Sequence, residues 1–328
     1  MKINSFFKHK NKYIFEELLS FKEVITLVLK SFQELREKVA ECEKKTVVII
    51  CAHDAHTLEA ALKAKEEGLL NYILVGKQDE ILSIGKDLGF NIDPADIINS
   101  DTDEDAVKKG IACIKDGTAD FIQKGILQTS TILKGVLDKT DGIRGEGSIS
   151  HTALLDIPSY HKVVGLTDGG MMLYPSLEQK KDIIDNAVKI FKGFGYEEPK
   201  VAVLAAVENV DPKMIETIDA AELKEMNQHG IIKDCIVEGP ISVDLATRKE
   251  AAIIKKYDSP VAGDADILVA PTIAAGNLMS KAIYVLGGAM MAGMVVGAKC
   301  PIALNSRSAS YEEKYYSLLA CAYMTTNL

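Results

Sequence analysis

A short polar segment near the C-terminus has the residue types that bind an oxyanion. Ser306 and Arg307 follow an apolar run and precede a helix opened by two further serines, with Glu312 and Glu313 in its first turn. Serine commonly caps a helix, and acidic side chains are favourable in a first turn, so a purely structural interpretation is open. In the functional interpretation, free backbone N–H groups, a hydroxyl and a guanidinium converge on one phosphoryl group.

A second candidate site combines a cation with hydroxyl groups at the end of a predicted strand. Lys124 lies there, shortly before Thr129 and Ser130. The set resembles a phosphate cradle, but it does not have the GxxxxGK[ST] order of a P-loop, and a helix cap beside an exposed lysine explains it equally well. After a later strand, Asp168 precedes two glycines, which permit close backbone approach but usually form only a turn.

Other motifs are disfavoured by their context. Cys51, His53 and His56 are residue types that bind zinc, yet no partner cluster elsewhere supplies the remaining ligands, so we predict no metal site. The nearest match to GxGxxG is GIRGEG at 142–147, which opens no clear helix, so a Rossmann fingerprint is not supported. GxSxG is absent, which disfavours a serine hydrolase.

The elements that must position these residues alternate along the chain. Apolar spacing over 13–43 predicts an amphipathic helix, and from Thr46 onward short apolar strands alternate with helical segments. This alternation predicts an α/β fold with mostly parallel sheets and helices on both faces. The strands form two sets that meet near Gly147, which indicates two α/β domains. Ligands in such folds bind beyond the carboxyl ends of strands, where the candidate residues lie.

Composition restricts the class of protein further. The chain has 328 residues, is 47% hydrophobic, and carries a net charge of −9, so it has no electrostatic attraction for nucleic acid. Its six scattered cysteines predict reduced thiols and a cytoplasmic location. The N-terminal residues form neither a signal peptide nor a spanning helix, and the most apolar stretch, 282–296, is too short and glycine-rich for a membrane. A negatively charged substrate therefore requires local basic groups.

Seven segments together resemble the phosphate acetyltransferase and phosphate butyryltransferase family, whose members interconvert acyl-CoA plus phosphate with acyl phosphate plus CoA. The resemblance covers roughly 46–326 and is closer to the butyryl branch, because TSTILKGVL, SHTALLDIP and TDGGMMLYPSLEQKKDI look like that branch. The seven segments occur in the family's order, at 119–137, 144–158, 165–188, 200–223, 235–246, 259–277 and 297–310.

The resemblance implies a fold like that of isocitrate dehydrogenase, with a cleft between two α/β domains. Residues 1–148 and 298–328 would form the first, discontinuous domain. Residues 149–297 would form the second domain and the surface of a homodimer or higher homo-oligomer. This arrangement would bring the loop at Ser306 beside Lys124 in an interdomain cleft.

The resemblance also implies roles for individual residues in transfer of butyryl or another short-chain acyl group. Ser306 would hydrogen-bond the carbonyl oxygen or leaving group, Arg307 would hold phosphate by a bidentate contact, and Glu313 or Glu312 would take the CoA thiol proton. Candidate contacts to phosphate or to CoA lie on further loops. They are Lys124, Thr129, Ser130, Arg144, Asp168 and Asn277. Acyl-CoA and inorganic phosphate would be the substrates, with no metal and no tightly bound cofactor.

Three positions depart from the family's pattern. Ala309 replaces a cysteine of the acetyltransferases, Glu313 replaces an aspartate, and Thr272 replaces an acid. Two other functions stay open at this point. One is an NAD-dependent dehydrogenase of the same fold, and the other is a paralogue that binds acyl-CoA without catalysis.

Overall fold

The strands of the protein follow the predicted alternation. A computed structural model describes residues 28–327. Its eleven strands are β1 (Lys45–Ile50), β2 (Leu70–Gly76), β3 (Ile97–Asn99), β4 (Phe121–Lys124), β5 (Ser150–Asp156), β6 (Val164–Thr167), β7 (Lys200–Leu204), β8 (Ile236–Ile241), β9 (Ile267–Val269), β10 (Met290–Val296) and β11 (Ile302–Ala303).

Helices separate most of these strands. They are α1 (Phe32–Ala40), α2 (Ala55–Glu66), α3 (Gln78–Asp87), α4 (Asp103–Lys115), α5 (Thr129–Val136), α6 (Leu177–Gly193), α7 (Ile215–Gln228), α8 (Val243–Thr247), α9 (Lys249–Lys255), α10 (Ile273–Gly287) and α11 (Tyr311–Thr326). The helix predicted over 13–43 contains α1, and its first part lies outside the described residues. Within the described chain, no helix has the length and apolar character needed to cross a membrane.

All eleven strands join in one sheet, in the order β3-β2-β1-β4-β11-β10-β5-β6-β9-β7-β8. Seven of the ten neighbouring pairs are parallel, and the three antiparallel pairs lie together at β11-β10, β10-β5 and β5-β6. The predicted α/β class with a mostly parallel sheet is therefore confirmed. The two predicted strand sets are not separate sheets, because β4 of the first set pairs with β11 of the second through backbone hydrogen bonds.

Strand β11, the shortest of the eleven, pairs with a strand that lies far from it in the sequence. In β11, Ile302 aligns with Ile122 of β4 on one side and with Val295 of β10 on the other. The chain thus returns, about 180 residues after β4, to the parallel half of the sheet. The loop that follows β11 consequently emerges beside the carboxyl end of β4.

Both faces of the sheet are covered by apolar side chains. Along β1, Val47 and Ile49 belong to one core while Val48 and Ile50 belong to another, as the two-residue period of a strand requires. Helix α11 lies against the first of these cores and buries Leu318, among other side chains. Burial on both faces explains why the strands read as continuous apolar runs.

Candidate active site

Lys124 is the last residue of β4 and is almost completely buried, with 6% of its surface exposed. The next residue must be glycine, because a Cβ atom at Gly125 would lie 2.1 Å from the carbonyl oxygen of Cys51. The Gly125 N–H donates to the carbonyl of Ile50, which ties the turn to the end of β1. The Lys124 ammonium donates to the carbonyl of Gly125 at 3.1 Å.

The loop after β11 carries Ser306 and Arg307, and both are exposed. It ends at Ser310, whose hydroxyl accepts from the N–H of Glu313 at 3.3 Å to cap α11. The ring Nδ1 of His56 donates to the carbonyl oxygen of Ala309 at 3.1 Å. The loop is thus held at one end by its helix cap and from the side by the first turn of α2.

Lys124, Ser306 and Arg307 line one small cavity of about 30 Å³. Three cations and one carboxylate face it, so its net charge is +2 when all four groups are ionised. This local positive charge in a protein of net charge −9 is what a negatively charged substrate requires. The complete lining is Asp54, Lys124, Gly125, Ile126, Asn305, Ser306, Arg307 and Lys314.

Two charged residues of this cavity are absent from the sequence-based predictions. Asp54 caps α2 by accepting from the N–H of Thr57 at 3.0 Å, and it also forms an ion pair with Lys314 of α11. The Lys314 ammonium donates to the hydroxyl of Thr57 at 2.8 Å. An aspartate directly before a helix is a local signal for a helix cap, but no local pattern relates Asp54 to a lysine 260 positions later.

Burial and neighbouring groups shift the pKa values of Asp54 and Lys124. Burial alone raises the pKa of the Asp54 carboxyl, but hydrogen bonds from Lys314 and Thr57 outweigh it and leave the pKa below its usual value. Burial lowers the pKa of the Lys124 ammonium, and the charges of Lys314 and Arg307 lower it further. Among the described residues, no carboxylate forms an ion pair with Lys124.

The carboxylates predicted as proton acceptors lie at the start of α11. Glu313 is 2% exposed, and its Oε2 accepts from the N–H of Ser310 at 2.8 Å and from the hydroxyl of Tyr284 at 3.1 Å. It therefore connects α11 to α10. Neither Glu313 nor the half-buried Glu312 lines the cavity at Lys124.

Three other predicted contacts lie apart from this cavity. Thr129 is the first residue of α5, and Ser130 lines a separate cavity of about 430 Å³ between α4 and α5. Lys108 and Lys134 also line that cavity. Arg144 is exposed and forms an isolated antiparallel bridge with Ala298.

Asp168 and Asn277 hold the glycine loop after β6. The Asp168 carboxylate is 2% exposed and accepts from the N–H groups of Gly170, Met171 and Met172 at 2.7 to 3.1 Å. The Asn277 amide donates to the carbonyl of Gly169 at 3.1 Å, which fastens this loop to α10. Neither side chain lines the cavity at Lys124.

Two further positions have structural partners. Thr272, which replaces an acid of the family's pattern, caps α10 by accepting from the N–H of Ala275 at 3.3 Å. Cys51 donates to Asp103 at 3.4 Å, and burial raises the pKa of its thiol to about 12, so it is not a thiolate at neutral pH. Across residues 28–327, no three His, Cys, Asp or Glu side chains are grouped as metal ligands.

Comparison with known proteins relates this geometry to a family. The profile described as "Phosphate acetyl/butaryl transferase" matches residues 102–322. The chain belongs to this family. It is 38% identical to the phosphate butyryltransferase of Clostridium acetobutylicum over 92% of this chain and 100% of that one. It is 37% identical to the phosphate acetyltransferase of Thermotoga maritima over 89% and 99% of the two chains.

Solved structures agree with the family. A branched-chain phosphotransacylase from Enterococcus faecalis superposes with a TM-score of 0.75 at 32% identity, covering 86% of this chain and 99% of that one. A 4-hydroxythreonine-4-phosphate dehydrogenase from Burkholderia phymatum superposes with a TM-score of 0.52 at 11% identity over 87% and 98% of the chains. The likeness to the dehydrogenase concerns the fold alone and does not favour the dehydrogenase alternative.

The ion pair between Asp54 and Lys314 in the cavity lining gives a prediction about the stability of the protein. Asp54→Asn keeps a good helix cap but leaves the buried Lys314 without a carboxylate, and we expect a loss of about 3 kcal/mol in the free energy of unfolding. Because the pKa of Asp54 is lowered in the folded protein, its contribution is present at neutral pH and is lost as the pH falls below about 4. Denaturant midpoints of the two proteins should differ at pH 7 and converge towards pH 3.

A matched control is available at another aspartate cap. Asp93 is exposed and accepts from the N–H of Ala95 at 2.9 Å. Asp93→Asn should change the free energy of unfolding by less than about 0.5 kcal/mol. Equal midpoints for wild type and Asp54→Asn at pH 7 would remove the ion pair from the stability of the protein.

Proposed function

We propose that this protein is a phosphate acyltransferase that converts acyl-CoA and inorganic phosphate into acyl phosphate and CoA. The observation that carries the proposal is the positively charged cavity at Ser306, Arg307 and Lys124, in a chain that belongs to the phosphate acetyl/butyryl transferase family. A butyryl or other short-chain acyl group is the proposed substrate, because the curated relatives are named for butyryl and acetyl transfer.

The proposed chemistry uses the charges of the cavity. Negative charge gathers on the carbonyl oxygen, the phosphate and the sulfur in the transition state of acyl transfer, and fixed donors stabilise it. Arg307 would bind two phosphate oxygens through its planar guanidinium, with Lys124 and Lys314 beside it. The hydroxyl of Ser306, which lies 3.1 Å from that of Ser308, would donate to the carbonyl oxygen or the leaving group.

Coenzyme A would be bound as a substrate, and no tightly bound cofactor is part of the proposed reaction. Thr129, Ser130 and Arg144 stay candidates for contacts to its phosphates. Asp168 and Asn277 are engaged with backbone groups of the glycine loop, which supports a role in positioning that loop. Glu313, with Glu312 as the second candidate, is the proposed acceptor of the CoA thiol proton.

We extend the proposal to the arrangement of domains. Residues 1–148 with 298–328 would form one domain and 149–297 the other, with the cleft between them. In support, one core cluster combines side chains of the first half with those near β11, such as Ile122 and Ile302. Another core cluster, on the second half, extends from Leu155 to Ala270.

The activity itself is tested by thiol release. Incubation of the protein with butyryl-CoA and inorganic phosphate should release free CoA, measured with a thiol reagent, and release should depend on phosphate. Acetyl-CoA and branched acyl-CoA compared at equal concentration should identify the preferred chain. Binding of acyl-CoA without phosphate-dependent thiol release would support the non-catalytic paralogue instead.

Arg307→Lys should impair the use of phosphate more than the use of acyl-CoA. An ammonium offers a point charge where the guanidinium offers two parallel donors. We expect a loss of about 1.5–3 kcal/mol, which corresponds to a decrease of about ten- to a hundredfold in kcat/KM for phosphate. Steady-state kinetics with phosphate varied at fixed butyryl-CoA measure it. An unchanged phosphate dependence would exclude Arg307 from the phosphate site.

Glu313→Gln should slow the direction that consumes free CoA, with a deficit that shrinks as the pH rises. A thiol has a usual pKa of about 8.5, so solvent increasingly replaces a lost base at alkaline pH. Glutamine keeps the capping box at Ser310, so the variant isolates the charge. Glu312→Gln tests the second candidate in the same way, and the same pH-dependent deficit in this variant alone would assign the proton acceptor to Glu312. Normal turnover of both variants at every pH would leave only a structural role for these carboxylates.

The protein is further proposed to form a homodimer through α10. Leu278, Val285 and Leu286 on this helix are 70%, 68% and 85% exposed. Apolar side chains this exposed are stabilised when a second copy covers them. Sedimentation should give a dimer mass for the wild type and a monomer for Leu286→Asp combined with Leu278→Asp. A monomeric wild type would contradict the proposal.

A further inference from the structure

Lys124 differs from the other buried lysines of the described chain. Lys162, Lys180 and Lys314 are each at most 5% exposed, and each forms an ion pair with an aspartate at close range. Lys124 is equally buried, but its ammonium has only the carbonyl of Gly125 as a hydrogen-bond partner among the described residues. A buried charge without a counter-ion is costly, which favours the neutral amine.

The charges around Lys124 act in the same direction. From α11 and the preceding loop, Lys314 and Arg307 face it with positive charge. From the start of α2, Asp54 faces it with negative charge, but this carboxylate is already bound to Lys314. From the end of β1, the thiol of Cys51 is protonated at neutral pH. The net effect of burial and these neighbours is a lowered pKa for the Lys124 ammonium.

No other basic group of the cavity can exchange a proton as readily. Arg307 is a guanidinium and stays charged at any pH that a protein tolerates. Lys314 differs from Lys124 in its contacts, because it forms an ion pair with Asp54 and donates to the hydroxyl of Thr57. Glu313 is outside the cavity, with its carboxylate bound to Ser310 and Tyr284.

We propose that Lys124 is the general base that removes the proton of the phosphate hydroxyl during acyl transfer. This inference rests on the proposed phosphate acyltransferase activity. As a phosphate oxygen attacks the thioester carbonyl, the O–H bond of the phosphate breaks and its proton passes to the neutral amine. The C–O bond then forms and the C–S bond breaks. The ammonium releases its proton to solvent, and the departing thiolate takes one proton from solvent or from Glu313, so the reaction is balanced.

The pH profile of the acyl-CoA plus phosphate direction tests this role. At alkaline pH, phosphate is a dianion and a thioester has no titrating proton, so protein groups determine the remaining pH dependence. Because the base acts as the neutral amine, kcat of the wild type should rise up to tenfold per pH unit and then level off. Lys124→Arg keeps the charge but cannot lose it, so this rise should vanish and kcat at pH 8 should fall at least about 100-fold.

Two variants serve as controls for the profile. Lys314→Arg makes the same change on the neighbouring lysine of the same cavity, and it should keep the alkaline rise. Glu313→Gln should keep it as well, because its proposed partner is the thiol. A rise that persists in Lys124→Arg would overturn the role of Lys124.

Amine rescue gives an independent measurement. Lys124→Ala should lose turnover and regain it on addition of methylamine or ethylamine, in proportion to the neutral form of the amine. Guanidine, which supplies only positive charge, should not restore it. A Lys124→Ala variant that no amine restores would overturn the inference. If the wild type releases no thiol from any acyl-CoA, the proposed function fails, whereas wild-type turnover with an unchanged profile in Lys124→Arg removes only the role of Lys124.

Discussion

The arrangement of the site depends on the insertion of a two-residue strand between β4 and β10. Ile302 and Ala303 pair in parallel with β4 and antiparallel with β10, and this junction joins the parallel half of the sheet to the remaining strands. Because β11 and β4 run in the same direction, the residues that follow both strands emerge at the same edge. Ser306 and Arg307 therefore lie beside Lys124, although more than 180 positions separate them in the chain.

A second constraint is electrostatic. Lys124 and Lys314 are buried next to each other, and Asp54 neutralises only Lys314. Burying a lysine without a counter-ion disfavours its charged form, and such perturbed groups concentrate at sites that bind or react. With Arg307 also facing it, the cavity is positively charged in a protein of net charge −9, which favours an anionic substrate.

The elements of the fold could be predicted from local patterns. The first of the apolar strands predicted from Thr46 onward is β1, and the helix predicted with Glu312 and Glu313 in its first turn is α11. These succeeded because strand and helix periods and capping residues act over a few positions. That both strand sets form one sheet could not be predicted from such patterns, because the pairing of β4 with β11 joins segments about 180 residues apart whose local sequences carry no information about each other.

The sequence by itself determined the α/β class, the net negative charge, the family resemblance and the choice of Ser306, Arg307 and Lys124 as candidates, since each follows from residue types or short spacings. Only the tertiary structure decided which candidates share a cavity. In the folded chain Asp54 and Lys314 line the cavity, and the Glu313 carboxylate accepts a hydrogen bond from Tyr284. Burial and ion pairing depend on what packs around a side chain, and packing partners from distant segments are defined only once the chain has folded.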